Sequence, residues 1–332
     1  MLEKSKLSSL KKLTTIVADT GDIDMIKQYK PQDATTNPSL IYKAAQKSEY
    51  RHLLREAVDF AHASGAHGRA FMDQVIVKLF VIFGTEILKI IPGRVSTEVD
   101  ARLSFDVEGS IRRAHEYIKL YEEAGIRKER ILIKLASTWE GMMAAQVLER
   151  EGIHCNMTLM FHIAQAAKAA EVGATLVSPF VGRILDWQKK KENRDKIPAD
   201  EDLGVKSVSD IYHYLKLYGK NTQVMGASFR NVDEILYLAG CDLLTISPEF
   251  LKELQEAKGT VERRLSPENA QNARLQELRL DEKSFRYVIC ESEMATEKLH
   301  EGIRNFIADT VKLEGYLEAN FIDGAAGHRK AM

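Results

Sequence analysis

Eight short runs of β-branched and apolar residues, separated for the most part by stretches of helical periodicity, constrain this chain more than any other feature. The runs lie at residues 14–19, 35–37, 94–100, 131–136, 154–160, 174–181, 223–229 and 242–247. Between them, residues 23–29 read as a helix stopped by Lys30-Pro31, residues 139–150 as a helix capped by Thr138, and residues 163–171 as an alanine-rich helix. Strands alternating with helices build an α/β fold with a parallel sheet, which either closes into a (β/α)8 barrel or stays open and doubly wound. An open sheet gathers its functional groups at one switch point, whereas a barrel brings the carboxyl ends of all its strands around one mouth. Here polar residues stand at or near the end of nearly every run: Asp19, Asn37, Glu98, Lys134, Asn156 with Thr158, Ser178, Ser228 with Arg230, and Ser247. That distribution predicts a (β/α)8 TIM barrel with extra helices, forming a single domain over residues 1–322 and leaving a loose tail at 323–332.

The fourth run, Ile131-Leu132-Ile133-Lys134-Leu135-Ala136, is nearly continuous in apolar residues, as expected of a strand covered on both faces. A lysine inside it is out of place, because desolvation penalises the ammonium. Either its stem is buried and its head reaches water, or it is a catalytic amine. Side-chain alternation places Leu132, Lys134 and Ala136 on one face and Ile131, Ile133 and Leu135 on the other. By the same parity Ser96, Glu98 and Asp100 share a face, as do Asn156 and Thr158. The polar sets therefore gather around the lysine.

Composition narrows the function classes. Forty-seven basic against forty-eight acidic residues leave a net charge of −1, which offers no global field for nucleic acid or an acidic membrane. Three cysteines, odd in number and in no CxxC, point to a reducing, cytoplasmic setting rather than a disulfide framework. Residues 1–13 carry no secretory-type apolar core. The most apolar region, 71–91, is interrupted by Asp73, Lys78, Glu86 and Lys89 and reads as a buried helix rather than a membrane span. Residues 188–202, with three consecutive lysines, read as the most loop-like segment. No HExxH, Gly-x-Gly-x-x-Gly, Walker loop or Gly-x-Ser-x-Gly elbow occurs, so zinc, nucleotide and serine-hydrolase chemistries find no support.

Single residues have plainer readings. Asp19 and Asn37 could be helix or turn caps, Glu98 could pair with Arg94 or Arg102, Asn156 could be a satisfied buried amide, and Arg183 could bridge Asp186 on its own helix. Their joint placement around one buried lysine favours an amine nucleophile.

Six motifs, in order, resemble the transaldolase family of the long, bacterial and eukaryotic type. They are Ala34-Thr35-Thr36-Asn37-Pro38-Ser39, Gly93-Arg94-Val95-Ser96-Thr97-Glu98-Val99-Asp100, Ile131-Leu132-Ile133-Lys134-Leu135-Ala136-Ser137-Thr138-Trp139, Cys155-Asn156-Met157-Thr158-Leu159, Ser178-Pro179-Phe180-Val181-Gly182-Arg183-Ile184 and Met225-Gly226-Ala227-Ser228-Phe229-Arg230. The resemblance implies a (β/α)8 barrel, often a homodimer, that acts on sugar phosphates in the pentose phosphate pathway without metal or cofactor. It also implies Lys134 as the Schiff-base residue, Asp19 as the acid/base, and Glu98 with Thr158 as partners of a catalytic water. Asn37, Asn156 and Ser178 would hold the bound three-carbon unit beside Phe180, and Arg183, Ser228 and Arg230 its phosphate. Where the family commonly has serine, this chain has His162, and the charged segment 189–196 looks variable.

Overall fold

In the computed structural model, which describes residues 5–322, the strands are β1 (Thr15–Asp19), β2 (Asp33–Thr35), β3 (Val95–Glu98), β4 (Ile131–Ala136), β5 (Cys155–Met160), β6 (Leu176–Pro179), β7 (Gln223–Gly226) and β8 (Leu243–Ile246). They close into a parallel barrel in sequential order, with β8 returning to β1. The expected tail at 323–332 lies outside the described residues.

Period-two alternation explains how the barrel is filled. Val17, Leu132, Leu176, Met225 and Leu243 point inward and pack together as an apolar plug. Burying side chains of this kind contributes about 1.5–3 kcal/mol each. Two residues further along the same strands come Asp19, Lys134, Ser178, Ala227 and Thr245, all on the wall of one pocket. The outward parity, including Ile131, Ile133, Leu135, Cys155, Met157 and Val177, packs under the helices. The plug is thus the floor of the mouth.

A helix beyond β8, Glu293–Leu317, crosses back over that mouth and packs on the helix Pro38–Ala45 and on β5. Its Ala295, Leu299, Ile303 and Phe306 join Leu159, Phe161, Phe180 and Ile184 in a separate apolar cluster. Close approach requires Gly302, since a Cβ there would lie 2.6 Å from Leu159 Cδ2 and 3.1 Å from Arg183 Nη1. The buried Glu314 anchors the helix by accepting from Arg69 at 2.9 and 3.0 Å and from Arg102 at 2.8 Å.

Two boundaries differ from the sequence reading. The second strand ends at Thr35 rather than running over 35–37, because Asn37 leaves the ladder to cap the helix Pro38–Ala45, accepting from the Leu40 N–H at 2.9 Å. The segment 188–202 is not all loop. The helix Gly182–Glu192 runs into it before Asn193 turns left-handed at φ 52°, and Asp202 caps the next helix, Leu203–Leu217. The region 71–91 is a buried helix as expected, Gly68–Leu88, and among the described residues no helix is long and apolar enough to cross a membrane.

Candidate active site

Register brings the central groups together. Lys134 pairs with Glu98 across β3 and β4 and with Asn156 across β4 and β5, so the three side chains enter the barrel at one level. Lys134 Nζ donates to Glu98 Oε2 at 2.8 Å and to the Thr36 carbonyl at 3.4 Å. Both members of the pair are buried, at 5% and 4% exposure. Burial pushes the Glu98 carboxyl up, against the opposing charge of Lys134. Glu98 is consequently a ready acceptor for the lysine's proton.

Asp19 faces the lysine from β1. Burial raises its pKa, and the Lys134 charge and then the Thr35 hydroxyl work against that rise. Thr35 Oγ1 donates to Asp19 Oδ1 at 2.9 Å, so in the 2.7 Å contact between the Thr35 and Thr245 hydroxyls it is Thr245 that donates. Opposite, Asn156 is held by two serines. Its Nδ2 donates to Ser96 Oγ at 3.0 Å, and Ser178 Oγ donates to its Oδ1 at 2.6 Å. Thr158 Oγ1 is buried and has no hydrogen-bond partner among the described residues. Such a hydroxyl is suited to hold a water or a substrate atom.

An arginine completes the pocket. The Arg183 guanidinium lies 4.9 Å from the Phe180 ring centre and 5.3 Å from that of Phe306, and makes no hydrogen bond or ion pair among the described residues. Desolvation and then the nearby Arg230 charge lower its pKa. Arg230 is committed differently. Its Nη2 and Nε reach Asp186 Oδ2 at 2.7 and 3.0 Å, and its Nη1 lies 3.4 Å from Ser228 Oγ. Ser228 itself adopts a left-handed backbone, φ 62°, and its carbonyl accepts from the Gly182 N–H at 2.8 Å. Gly182 has to be glycine, because a Cβ there would meet that carbonyl oxygen at 2.5 Å.

A buried amine beside a proton-accepting carboxylate, with a second carboxylate across the pocket and an unpaired guanidinium at its rim, is the equipment for imine chemistry on an anionic carbonyl compound. Over residues 16–317 the chain matches the family described as Transaldolase/Fructose-6-phosphate aldolase. The chain belongs to this family. It is 58% identical over 323 residues to the Transaldolase of Protochlamydia amoebophila (strain UWE25), an alignment covering 96% of this chain and 99% of that relative.

Of the residues singled out from the sequence, Asp19, Asn37, Lys134, Thr158, Ser178, Phe180, Arg183 and Ser228 line this pocket of the transaldolase barrel. Glu98 and Asn156 stand behind its wall, bonded to Lys134 and Ser178, and Arg230 is reached through Ser228. Several plainer readings are displaced. Arg94 pairs with Asp33 and Arg102 with Asp100 and Glu314, which leaves Glu98 to the lysine. Asp186 bridges Arg230 rather than Arg183. One parity inference fails: Asp100 lies past the end of β3, where it caps the turn Ala101–Leu103 instead of facing the barrel. His162 caps the helix that follows β5, its Nδ1 accepting from the Ala164 N–H at 3.1 Å. Thr245 and Phe306 were missed, as was Thr35 in its role as partner to Asp19. Both threonines sit two residues beyond inward-facing positions, so alternation could have found them, whereas Phe306 carries no local signal. Among the described residues, no group of three or more His, Cys, Asp or Glu side chains could hold a metal ion.

Proposed function

We propose that this chain is a transaldolase that moves a dihydroxyacetone unit from a ketose phosphate to an aldose phosphate through a Schiff base on Lys134. The overall reaction is sedoheptulose 7-phosphate plus glyceraldehyde 3-phosphate giving erythrose 4-phosphate plus fructose 6-phosphate. The observation that carries the assignment of Lys134 is its enclosure beside Glu98 at 2.8 Å, in the pocket it shares with Asp19 and Arg183.

Glu98 takes a proton from Lys134, and the freed amine attacks the ketose C2 carbonyl. Loss of water, held between Glu98 and Thr158, leaves a protonated imine. Asp19 then removes the C4 hydroxyl proton, the C3–C4 bond breaks, and its electron pair flows into the imine to give an enamine while the aldose phosphate departs. Asn37, Asn156 and Ser178 hydrogen-bond the hydroxyls of the retained unit, and Phe180 packs beside it. Arg183, Ser228 and Arg230 hold the phosphate of donor and acceptor in turn. Addition to the acceptor aldehyde reverses each step, Asp19 returning its proton.

The same intermediate could be protonated and released, which would be aldolase chemistry. Fructose 6-phosphate supplied alone, then with erythrose 4-phosphate, separates the two. Rapid formation of sedoheptulose 7-phosphate only with the acceptor supports transfer, and steady release of free dihydroxyacetone at a comparable rate without it refutes transfer. A homodimer working as one barrel domain per copy in a reducing cytoplasm completes this reading, and the three free cysteines are compatible with that compartment.

A further inference from the structure

The 228–230 loop is tied from behind to a buried carboxyl that the chemistry above does not use. Glu234, in the first turn of the helix Val232–Tyr237, has 0% exposure. Its Oε2 accepts the backbone N–H of Arg230 at 2.6 Å. Its other oxygen, Oε1, is buried without a hydrogen-bond partner among the described residues. The Glu234 carboxyl meets that of Asp202, the cap of the helix Leu203–Leu217, which is 2% exposed and accepts the Gly204 N–H at 2.7 Å and the Val205 N–H at 3.3 Å.

Two carboxyl groups in contact and out of water cannot both be ionised without a cation between them. Neither forms an ion pair among the described residues. Around them, Lys189 acts on Asp202 only through its field, and the head of Arg230 is engaged by Asp186. A single proton resolves the arrangement. Asp202, stabilised by two backbone donors, stays ionised. Glu234 keeps the proton, donates it through Oε1, and still accepts from Arg230 through Oε2. The orphaned oxygen is then satisfied.

We propose that Glu234 is a positioning residue, which holds the 228–230 loop in its anion-binding shape through one proton shared with Asp202. The inference rests on reading that loop as half of the phosphate site. Ser228 sits there with a left-handed backbone and Gly182 leans on its carbonyl, so a displaced Arg230 N–H disturbs Ser228 two residues before it and, through Gly182, the adjacent Arg183. Burial, reinforced by the charge of Asp202, pushes the Glu234 carboxyl up to about 8. The proton is therefore present at pH 7 and is lost as the pH rises through that value. Its loss sets two negative charges against each other and loosens the loop. Inorganic phosphate itself only gains negative charge as the pH rises from 7, so a loss of affinity over this range cannot come from the ligand.

The test is binding of inorganic phosphate to the intact chain by calorimetry between pH 7 and 9.5, in the natural protein, Glu234→Gln and Asp202→Asn. Each amide keeps the hydrogen bond between the two side chains while removing the shared proton. The natural protein is expected to lose about tenfold in affinity over this range. Either amide variant should show no such loss of affinity, and with fructose 6-phosphate the same contrast should fall on KM rather than kcat. One common pH profile for all three proteins overturns the inference and leaves the phosphate-site reading intact. Failure of phosphate to bind at pH 7, or binding indifferent to Arg183→Ala, overturns the phosphate-site reading and this inference with it.

Discussion

Lys134 and Glu98 stand side by side on β4 and β3, amine to carboxylate at 2.8 Å, and both are buried, with the apolar plug below and Phe306 over the lysine. A buried pair of this kind contributes little net stability, because desolvating two charges offsets their attraction. Its value is chemical. A carboxylate destabilised by burial accepts a proton readily, and its nearest donor is the lysine.

Borohydride added during turnover of fructose 6-phosphate should therefore attach a three-carbon unit to Lys134 and to no other lysine. Lys134→Arg keeps a cation beside Glu98 but cannot form an imine, so it should fold and show no activity. Mass mapping of the reduced protein decides the point. A label on another lysine, or activity surviving in the arginine variant, removes Lys134 from the mechanism.

The two arginines should not be equivalent. Arg183 has no hydrogen-bond or ion-pair partner among the described residues and is available to an incoming anion, whereas Arg230 is held by Asp186. Losing a charge-assisted contact to phosphate costs about 1.5–3 kcal/mol. Arg183→Ala should thus raise KM for phosphorylated donors by roughly ten- to a hundredfold, and Arg230→Ala should raise it less. Unphosphorylated glyceraldehyde as acceptor should be affected by neither. Equal losses with both kinds of acceptor would assign the arginines a structural role.

Asp19 has to be ionised to accept the C4 hydroxyl proton. Burial raises its pKa, so activity on the acid side should fall at a higher pH than the ordinary aspartate value of about 3.9 would give. The Lys134 charge and then the Thr35 hydroxyl oppose that rise. Thr35→Val removes the hydroxyl, and the acid limb of the kcat profile should move upward. A limb that stays in place would show that it belongs to another group.

Much of this was legible because strand geometry is local. Alternation alone sets Asp19, Lys134 and Ser178 two residues beyond apolar inward positions, and the sequence of β4 shows its lysine without further context. Helix punctuation was equally plain, as at Thr138 and at Asn37-Pro38. What failed had a physical reason each time. The cap at Asn37 is legible, but the β-branched Thr35-Thr36 before it extends the apparent strand past its end at Thr35, and Asp100 obeys strand parity only on paper, since β3 has already ended. The long lysine-rich segment looked like loop because its charges are solvated helix faces. Phe306 was invisible, because its place depends on a helix that begins long after the last strand and folds back across the mouth.

That residue supports the last prediction. The Phe306 ring centre lies 5.8 Å from Lys134 Nζ and 5.3 Å from the Arg183 guanidinium, and the side chain is 2% exposed. It therefore excludes water from the amine and offers a π face to both cations. Truncation to alanine would open a cavity worth about 3–5 kcal/mol, so loss of activity there would not separate packing from chemistry. Leucine keeps most of the volume at a cost of about 1.5 kcal/mol or less and removes only the aromatic face. Phe306→Leu should remain folded, with a midpoint in urea close to that of the natural protein. Its KM for fructose 6-phosphate should rise several-fold as Arg183 loses one of its two aromatic supports, and borohydride trapping should become less efficient as water reaches Lys134. An unchanged KM together with unchanged trapping would reduce Phe306 to a packing residue of the covering helix.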